Sequence, residues 1–211
     1  MKIKTLLFGG AFDPPHKSHI NTAGTALAHK KFSNDATELW FMPCYSDAFG
    51  QKNLTDPKHR IAMLNSVVSY MGNCTSVCTT EIEMANKAGA YAVVKELIRR
   101  HPEREFYYVI GSDQACRIRE WRNSRDLLKT IPFVVIKREG INRGSHDWCF
   151  SDSHIWIDKP INMFVFGDGY AHTSSYIREC FHKDWKNQKE NKHKGLLVAV
   201  HEYIVDHNLY K

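Results

Sequence analysis

The chain has 211 residues, 43% hydrophobic and 25% charged, a balance that excludes disordered and membrane-embedded classes; nothing in it marks a domain boundary, so a single domain is expected. Its formal charge of +6 suits a binder of anionic nucleotides, and equally an RNA binder or no anion at all. The 6 cysteines are scattered, and Cys74 and Cys78 lack a second Cys/His pair at zinc spacing, so reduced thiols, no protein-held metal and a cytoplasmic setting are expected.

Residues 2–8 form an apolar run that reads as a buried strand and is too short for a signal peptide. Residues 20–29 continue as a helix after Gly9, Gly10, Asp13, Pro14 and Pro15, which leaves His16 and His19 at the strand's exit. Glycine lets backbone approach a ligand closely, and the N–H groups that open a helix attract anions. Two imidazoles and a helix start can therefore face one polyphosphate. Residues 38–43 read as a second strand stopped by Pro43, and residues 44–56 as a polar loop carrying Lys52. Ile61, Leu64, Val68 and Met71 recur at helical spacing. Residues 75–83 are β-branched and partly alternating, which predicts a strand, and residues 91–100 put Val93, Val94, Leu97 and Ile98 on one helical face.

Residues 105–110 read as the next strand, running into Gly111, Ser112 and Asp113 before a helical stretch that contains Trp121, Leu127 and Leu128. Residues 132–137 repeat the strand pattern. Strands alternating with helices imply an α/β fold, a doubly wound and mostly parallel sheet with helices on both faces, whose ligands collect at the C-terminal strand ends. Residues 138–160 read as a long loop flanking a short strand at 154–157, and residues 162–166 as another short strand. Asp168 in Gly167-Asp168-Gly169 is read as a turn residue in preference to a Mg²⁺ ligand.

Thr173, Ser174 and Ser175 then open a helix as caps and phosphate donors, with Arg178 on the next turn. The basic run 183–194 reads as a solvated loop, and Leu196, Val200, Tyr203 and Ile204 as the apolar face of a last helix. The helical part from about 172 to 211 is expected to pack on the rest within the single domain. Trp40 is assigned to the core. His29, His59, His101, His182, His193, His201 and His207 are assigned to the surface or to helix ends, because no neighbouring acid or cysteine gives them metal spacing.

Residues 9–19, GGAFDPPHKSH, resemble the GGxFDPxHxGH signature of the HxGH nucleotidyltransferases. DPKHRIAML resembles the HRxxML helix, YVIGSDQACRIREW the IGxDxxxxLxxW segment, IPFVVIKREG the FVVxRxG strand, and HTSSYIRECF the ISSTxIR signature. VHEYIVDHNLY is similar to a terminal YIxxxxLY helix. In this order, over nearly the whole chain, the segments are similar to the nicotinate or nicotinamide mononucleotide adenylyltransferases.

The resemblance implies a Rossmann-like nucleotidyltransferase fold and transfer of the adenylyl group of ATP to a pyridine mononucleotide, with release of pyrophosphate. It implies His16, His19 and Arg178 as catalytic residues. Gly9, Gly10, Ala11, Phe12, Gly111, Asp113, Thr173, Ser174 and Ser175 would join them in binding ATP, and Lys52, Tyr91 and Trp121 would bind the mononucleotide. Mg²⁺ would accompany ATP, with small molecules and neither nucleic acid nor membrane as partners; a homo-oligomer stays open. Ser18 replaces the family glycine between the histidines, and residues 43–52, PCYSDAFGQK, look more like an SxxFxK variant than the bacterial PPHK-like string. Only Gly89-Ala90-Tyr91-Ala92 represents the bacterial Ser-Tyr-Thr segment, so acid and amide substrates both stay open. The alternatives are another HxGH transferase, acting in pantetheine-phosphate adenylylation or cytidylyl transfer, and a non-catalytic nucleotide sensor.

Overall fold

Successive side chains of a strand point to opposite faces, and here nearly every position of the central strands is apolar, so the sheet must be covered on both sides. The computed structural model describes residues 2–33, 37–46, 53–85, 89–137, 154–158 and 173–211. Among them, β1 (Ile3–Gly10), β2 (Thr37–Pro43), β3 (Thr75–Val77), β4 (Arg104–Gly111), β5 (Phe133–Ile136) and β6 (Ile155–Ile157) form one sheet. All five pairings are parallel, in the order β3-β2-β1-β4-β5-β6.

Leu6, Phe8, Tyr107 and Val109 point to one face. There they meet α1 (Lys17–Ala28) through Ile20 and Ala23, α2 (Pro57–Met71) through Met63, Leu64 and Val67, α7 (Ser174–Lys183) through Ile177 and Phe181, and α9 (Val198–Asp206) through Val200 and Ile204. Leu7, Phe106, Tyr108 and Ile110 point to the other face, against Val93, Val94 and Leu97 of α4 (Ala90–Arg100) and Leu127 of α6 (Ser124–Thr130). Each fully buried Leu, Ile, Val or Phe contributes roughly 1.5–3 kcal/mol relative to exposure, so these two apolar layers are what holds the sheet closed. No described helix is long and apolar enough to cross a membrane.

Several expectations are corrected. The strand predicted over 75–83 stops at Val77, and Thr80–Glu83 form a short helix, α3. The Thr79 hydroxyl donates to Glu83 Oε1 at 2.5 Å, and two acids in the first turn suit a helix start, so this local bonding and charge override the β-branched pattern. The predicted helical stretch through Trp121 is broken. It consists of α5 (Ser112–Cys116), one 3-10 turn at Ile118–Glu120, and α6. Between them Trp121 is extended and Asn123 turns left-handed at φ 56°, a conformation asparagine tolerates.

The basic run is not a loop throughout, because Asp184 caps α8 (Trp185–Glu190) by accepting the Asn187 N–H at 3.3 Å. Trp185 of α8 packs on Phe181 while Lys186 and Lys189 face solvent. His201, expected at the surface, is buried against Phe181, and burial holds its pKa below the usual histidine value. Trp40, expected in the core, is half-buried beneath the Arg104 guanidinium. The predicted strand at 162–166, the Asp168 turn and most of the loop over 138–160 lie outside the described residues.

Candidate active site

β1 lies between β2 and β4, where the order of the sheet reverses, so the loop that leaves its C-terminal end opens into the crevice that parallel α/β sheets use for ligands. The loop turns at Phe12, a non-glycine residue at φ 49°. Its ring is held edge-on by Phe8, Phe41 and His19, at centroid distances of 5.5, 5.7 and 5.0 Å, which over-determines a backbone conformation costly for an L-residue. A side chain at Gly10 would press within 3.1 Å of this same ring.

His16 is the N-cap of α1, and its backbone N–H donates to His19 Nδ1 at 3.2 Å. The two imidazoles stack with centroids 3.7 Å apart. Because Nδ1 of His19 accepts, the neutral ring carries its proton on Nε2 and presents a donor on its other edge. Thr173 caps α7 by accepting the Tyr176 N–H at 3.2 Å. The Ser174 hydroxyl donates to the Pro14 carbonyl at 3.0 Å, and Arg178 donates to the Asp13 carbonyl at 2.6 Å and to the Ser175 hydroxyl at 3.3 Å. Thus two segments far apart in sequence, each with donors suited to phosphate oxygens, meet on one loop.

Gly9 and Gly10 end β1, and Ala11 follows them into the loop. Gly111 ends β4, the neighbouring strand, and Asp113 lies in the first turn of α5. Trp121 is half-buried on the second face, its ring edge-on to Tyr108 at 5.8 Å. Its indole Nε1 is buried with no hydrogen-bond partner among the described residues. Tyr91 lies in the first turn of α4 on that same face, with Lys95 Nζ 5.7 Å from its ring. Lys52 lies outside the described residues.

The structure adds residues that sequence reasoning left without roles. Arg60 is fully buried, with Nε donating to the Thr55 carbonyl at 2.8 Å and Nη1 to the Ala11 carbonyl at 2.9 Å. Its Nη2 has no partner among the described residues, and the side chain lines a cleft of about 430 Å³ with Tyr45, Ser46, Asn53, Leu54, Thr55 and Pro57. A buried cation with an unfilled donor beside a cleft favours an anion there. Glu81 accepts the N–H of Tyr45, which lines this cleft, at 3.1 Å. Burial pushes its pKa up to about 7, against the opposing pull of the Tyr45 bond and the Arg60 charge. Arg60 was visible only inside the string HRIAML, and no spacing rule assigns a contact to a residue whose partners are backbone carbonyls.

Residues 7–180 match the family model described as cytidylyltransferase-like. A probable nicotinate-nucleotide adenylyltransferase of Bacillus pumilus is 30% identical over 97% of this chain and 97% of its own length. Its counterpart from Shouchella clausii is 33% identical over 97% of this chain and 95% of its own length. Among solved structures, Plasmodium falciparum nicotinic acid mononucleotide adenylyltransferase complexed with APC has the same fold, at TM-score 0.77 and 21% identity, covering 100% of this chain and 98% of that one. The same Plasmodium enzyme complexed with NaAD gives a TM-score of 0.74 at 23% identity, covering 98% of this chain and 97% of that one.

Proposed function

The chain belongs to the cytidylyltransferase-like family and, within it, to the nicotinate-nucleotide adenylyltransferases, and from that premise we propose that it joins the adenylyl group of ATP to nicotinate mononucleotide. The products are deamido-NAD and pyrophosphate. The observation that carries this reading is the convergence of His16, His19, Ser174 and Arg178 on the loop after β1.

A phosphate oxygen of the mononucleotide attacks the α-phosphorus of ATP, the new P–O bond forms as the bond to the β-phosphate oxygen breaks, and pyrophosphate leaves with that electron pair. No protein nucleophile is required. The work of the site is to align the two phosphates and to stabilise the negative charge that develops between them. His16 and His19 offer N–H donors toward the α- and β-phosphates. Thr173, Ser174, Ser175 and Arg178 would hold the β- and γ-phosphates, Gly9 to Phe12 would let the nucleotide approach the backbone, and Gly111 and Asp113 would meet the adenosine ribose. Imidazoles, hydroxyls and a guanidinium suit phosphate oxygens more than a hard cation, so the phosphates themselves would carry the Mg²⁺ that supplies further charge neutralisation.

Trp121 and Tyr91 would contact the pyridine ring, and Lys52 the mononucleotide's phosphate. The unfilled donor of Arg60 supports an anion in the adjoining cleft, for which that same phosphate is suited. The test is to supply ATP and Mg²⁺ with nicotinate mononucleotide, nicotinamide mononucleotide or phosphopantetheine and to separate the products by chromatography. A pyridine dinucleotide and an equimolar amount of pyrophosphate are expected, with the nicotinate form preferred. Dephospho-coenzyme A in place of a dinucleotide, or no product from any acceptor, overturns the proposal.

A further inference from the structure

We propose that Tyr210 is a positioning residue for the transfer, acting through the buried carboxylate of Asp13 to fix the loop that aims His16, His19 and Arg178. The inference rests on the reaction proposed above. Asp13 is 1% exposed and stands three residues before His16. Its Oδ1 accepts the Tyr210 hydroxyl at 2.7 Å and its Oδ2 accepts the Thr55 N–H at 3.1 Å, while its main-chain carbonyl takes Arg178 at 2.6 Å. Four segments therefore meet on one residue: the loop after β1, the approach to α2, the first turns of α7, and the chain beyond α9.

The approach to α2 is tied in twice, because Arg60 bridges the Thr55 and Ala11 carbonyls. The chain beyond α9 is shaped to deliver Tyr210. Asn208 and Tyr210 both adopt left-handed backbone, at φ 51° and 66°, and the Tyr210 ring packs on Phe181 at 6.4 Å. Two non-glycine residues held there indicate a segment locked by its contacts. Burial and the Asp13 charge both push the Tyr210 phenol well above its usual range, which keeps it a donor. A buried carboxyl group that loses one of its two side-chain-directed donors is left under-satisfied, and the cheapest relief is for the loop carrying it to move. A shift of the order of an ångström at that loop spoils the alignment that the transfer needs more than it weakens ATP binding, which is shared with Gly111, Asp113, Thr173 and Ser175.

Tyr210→Phe keeps the ring and removes only the hydroxyl. The expected result is a fall in kcat of about tenfold, with KM for ATP and for the mononucleotide within about twofold and an undisturbed far-UV spectrum. Tyr203→Phe, which removes a hydroxyl bonded to His59 at 3.0 Å from within α9, is expected to leave kcat unchanged. Hydrogen exchange supplies a readout independent of turnover: the amides of Phe12, Asp13 and His16 should exchange faster in Tyr210→Phe and as in the parent in Tyr203→Phe. A wild-type protein that makes no dinucleotide overturns the proposed reaction, and the exchange result then decides whether Tyr210 holds the loop. Unchanged kcat, a rise in KM alone, or unchanged exchange at Phe12, Asp13 and His16 overturns the positioning role.

Discussion

The Tyr108 hydroxyl lies against the Cα of Gly9 from the neighbouring parallel strand, so closely that a Cβ on Gly9 would fall on the phenol oxygen. Tyr108 is buried between Phe133, stacked at 5.3 Å, and Trp121, and cannot swing away. Overpacking at such a point costs about 1–3 kcal/mol. Gly9→Ala is therefore expected to lower unfolding stability by that amount in urea titrations, and adding Tyr108→Phe should recover most of the loss by deleting the obstructing oxygen. A Gly9→Ala protein as stable as the parent would show that the two strands do not approach this closely.

Glu81 gives the fold a pH dependence of definite sign. Its folded-state pKa is raised to about 7, so its favourable contribution is complete below the ordinary carboxyl value of 4.5 and is lost as pH climbs through 7. The shift corresponds to on the order of 3 kcal/mol between the two ends of that window. Glu81→Gln keeps an oxygen for the Tyr45 N–H and removes the titration. Relative to the parent it should gain stability between pH 5 and pH 8, measured by urea unfolding at each pH; parallel profiles for the two proteins would remove Glu81 as the cause.

Much of the architecture was legible in the sequence for a physical reason. Strands buried on both faces and helices with one apolar stripe leave different periods, so β1, β2, β4 and β5 were found close to their bounds. The same rule failed at Thr80–Glu83, where two acids and the Thr79–Glu83 hydrogen bond decide, and at Trp121, where a 3-10 turn has no period long enough to detect. His16, His19, Ser174 and Arg178 could be nominated because they lie in compact strings. Asp13, Arg60 and Tyr210 lie in such strings too, but the contacts that tie them together, Asp13 with Thr55 and Tyr210 and Arg60 with Ala11, span 42 to 197 positions, and no local pattern records a contact at that separation.

Trp121 is the candidate ring for the mononucleotide, and the extended backbone that took it out of a helix leaves it half-buried at the edge of the second core layer. Stacking on a nucleobase-like ring contributes roughly 1–3 kcal/mol, so Trp121→Ala should raise KM for the mononucleotide by about tenfold while KM for ATP barely moves. Trp121→Phe should retain most of the affinity. Equal weakening of both substrates, or loss of the cooperative unfolding transition, would assign Trp121 to the core instead.

His19 combines two duties that can be separated. Through Nδ1 it accepts the His16 N–H and so closes the first turn of α1, a contribution of about 1 kcal/mol typical of a cap. In the proposed reaction its Nε2 would donate to charge that develops only as the α-phosphorus is attacked, and removing one such donor lowers turnover by roughly 10²–10³. In His19→Ala both are lost, so the expected signature is unequal: a small drop in unfolding stability, KM for ATP within about threefold, and kcat down at least about a hundredfold. His19→Asn can restore the cap through its side-chain oxygen but reaches less far toward the phosphates, so it should recover stability without recovering kcat. If His19→Ala loses less than about tenfold in kcat, measured under saturating ATP and mononucleotide, the imidazole is a cap and the charge must be met by the other phosphate-facing groups.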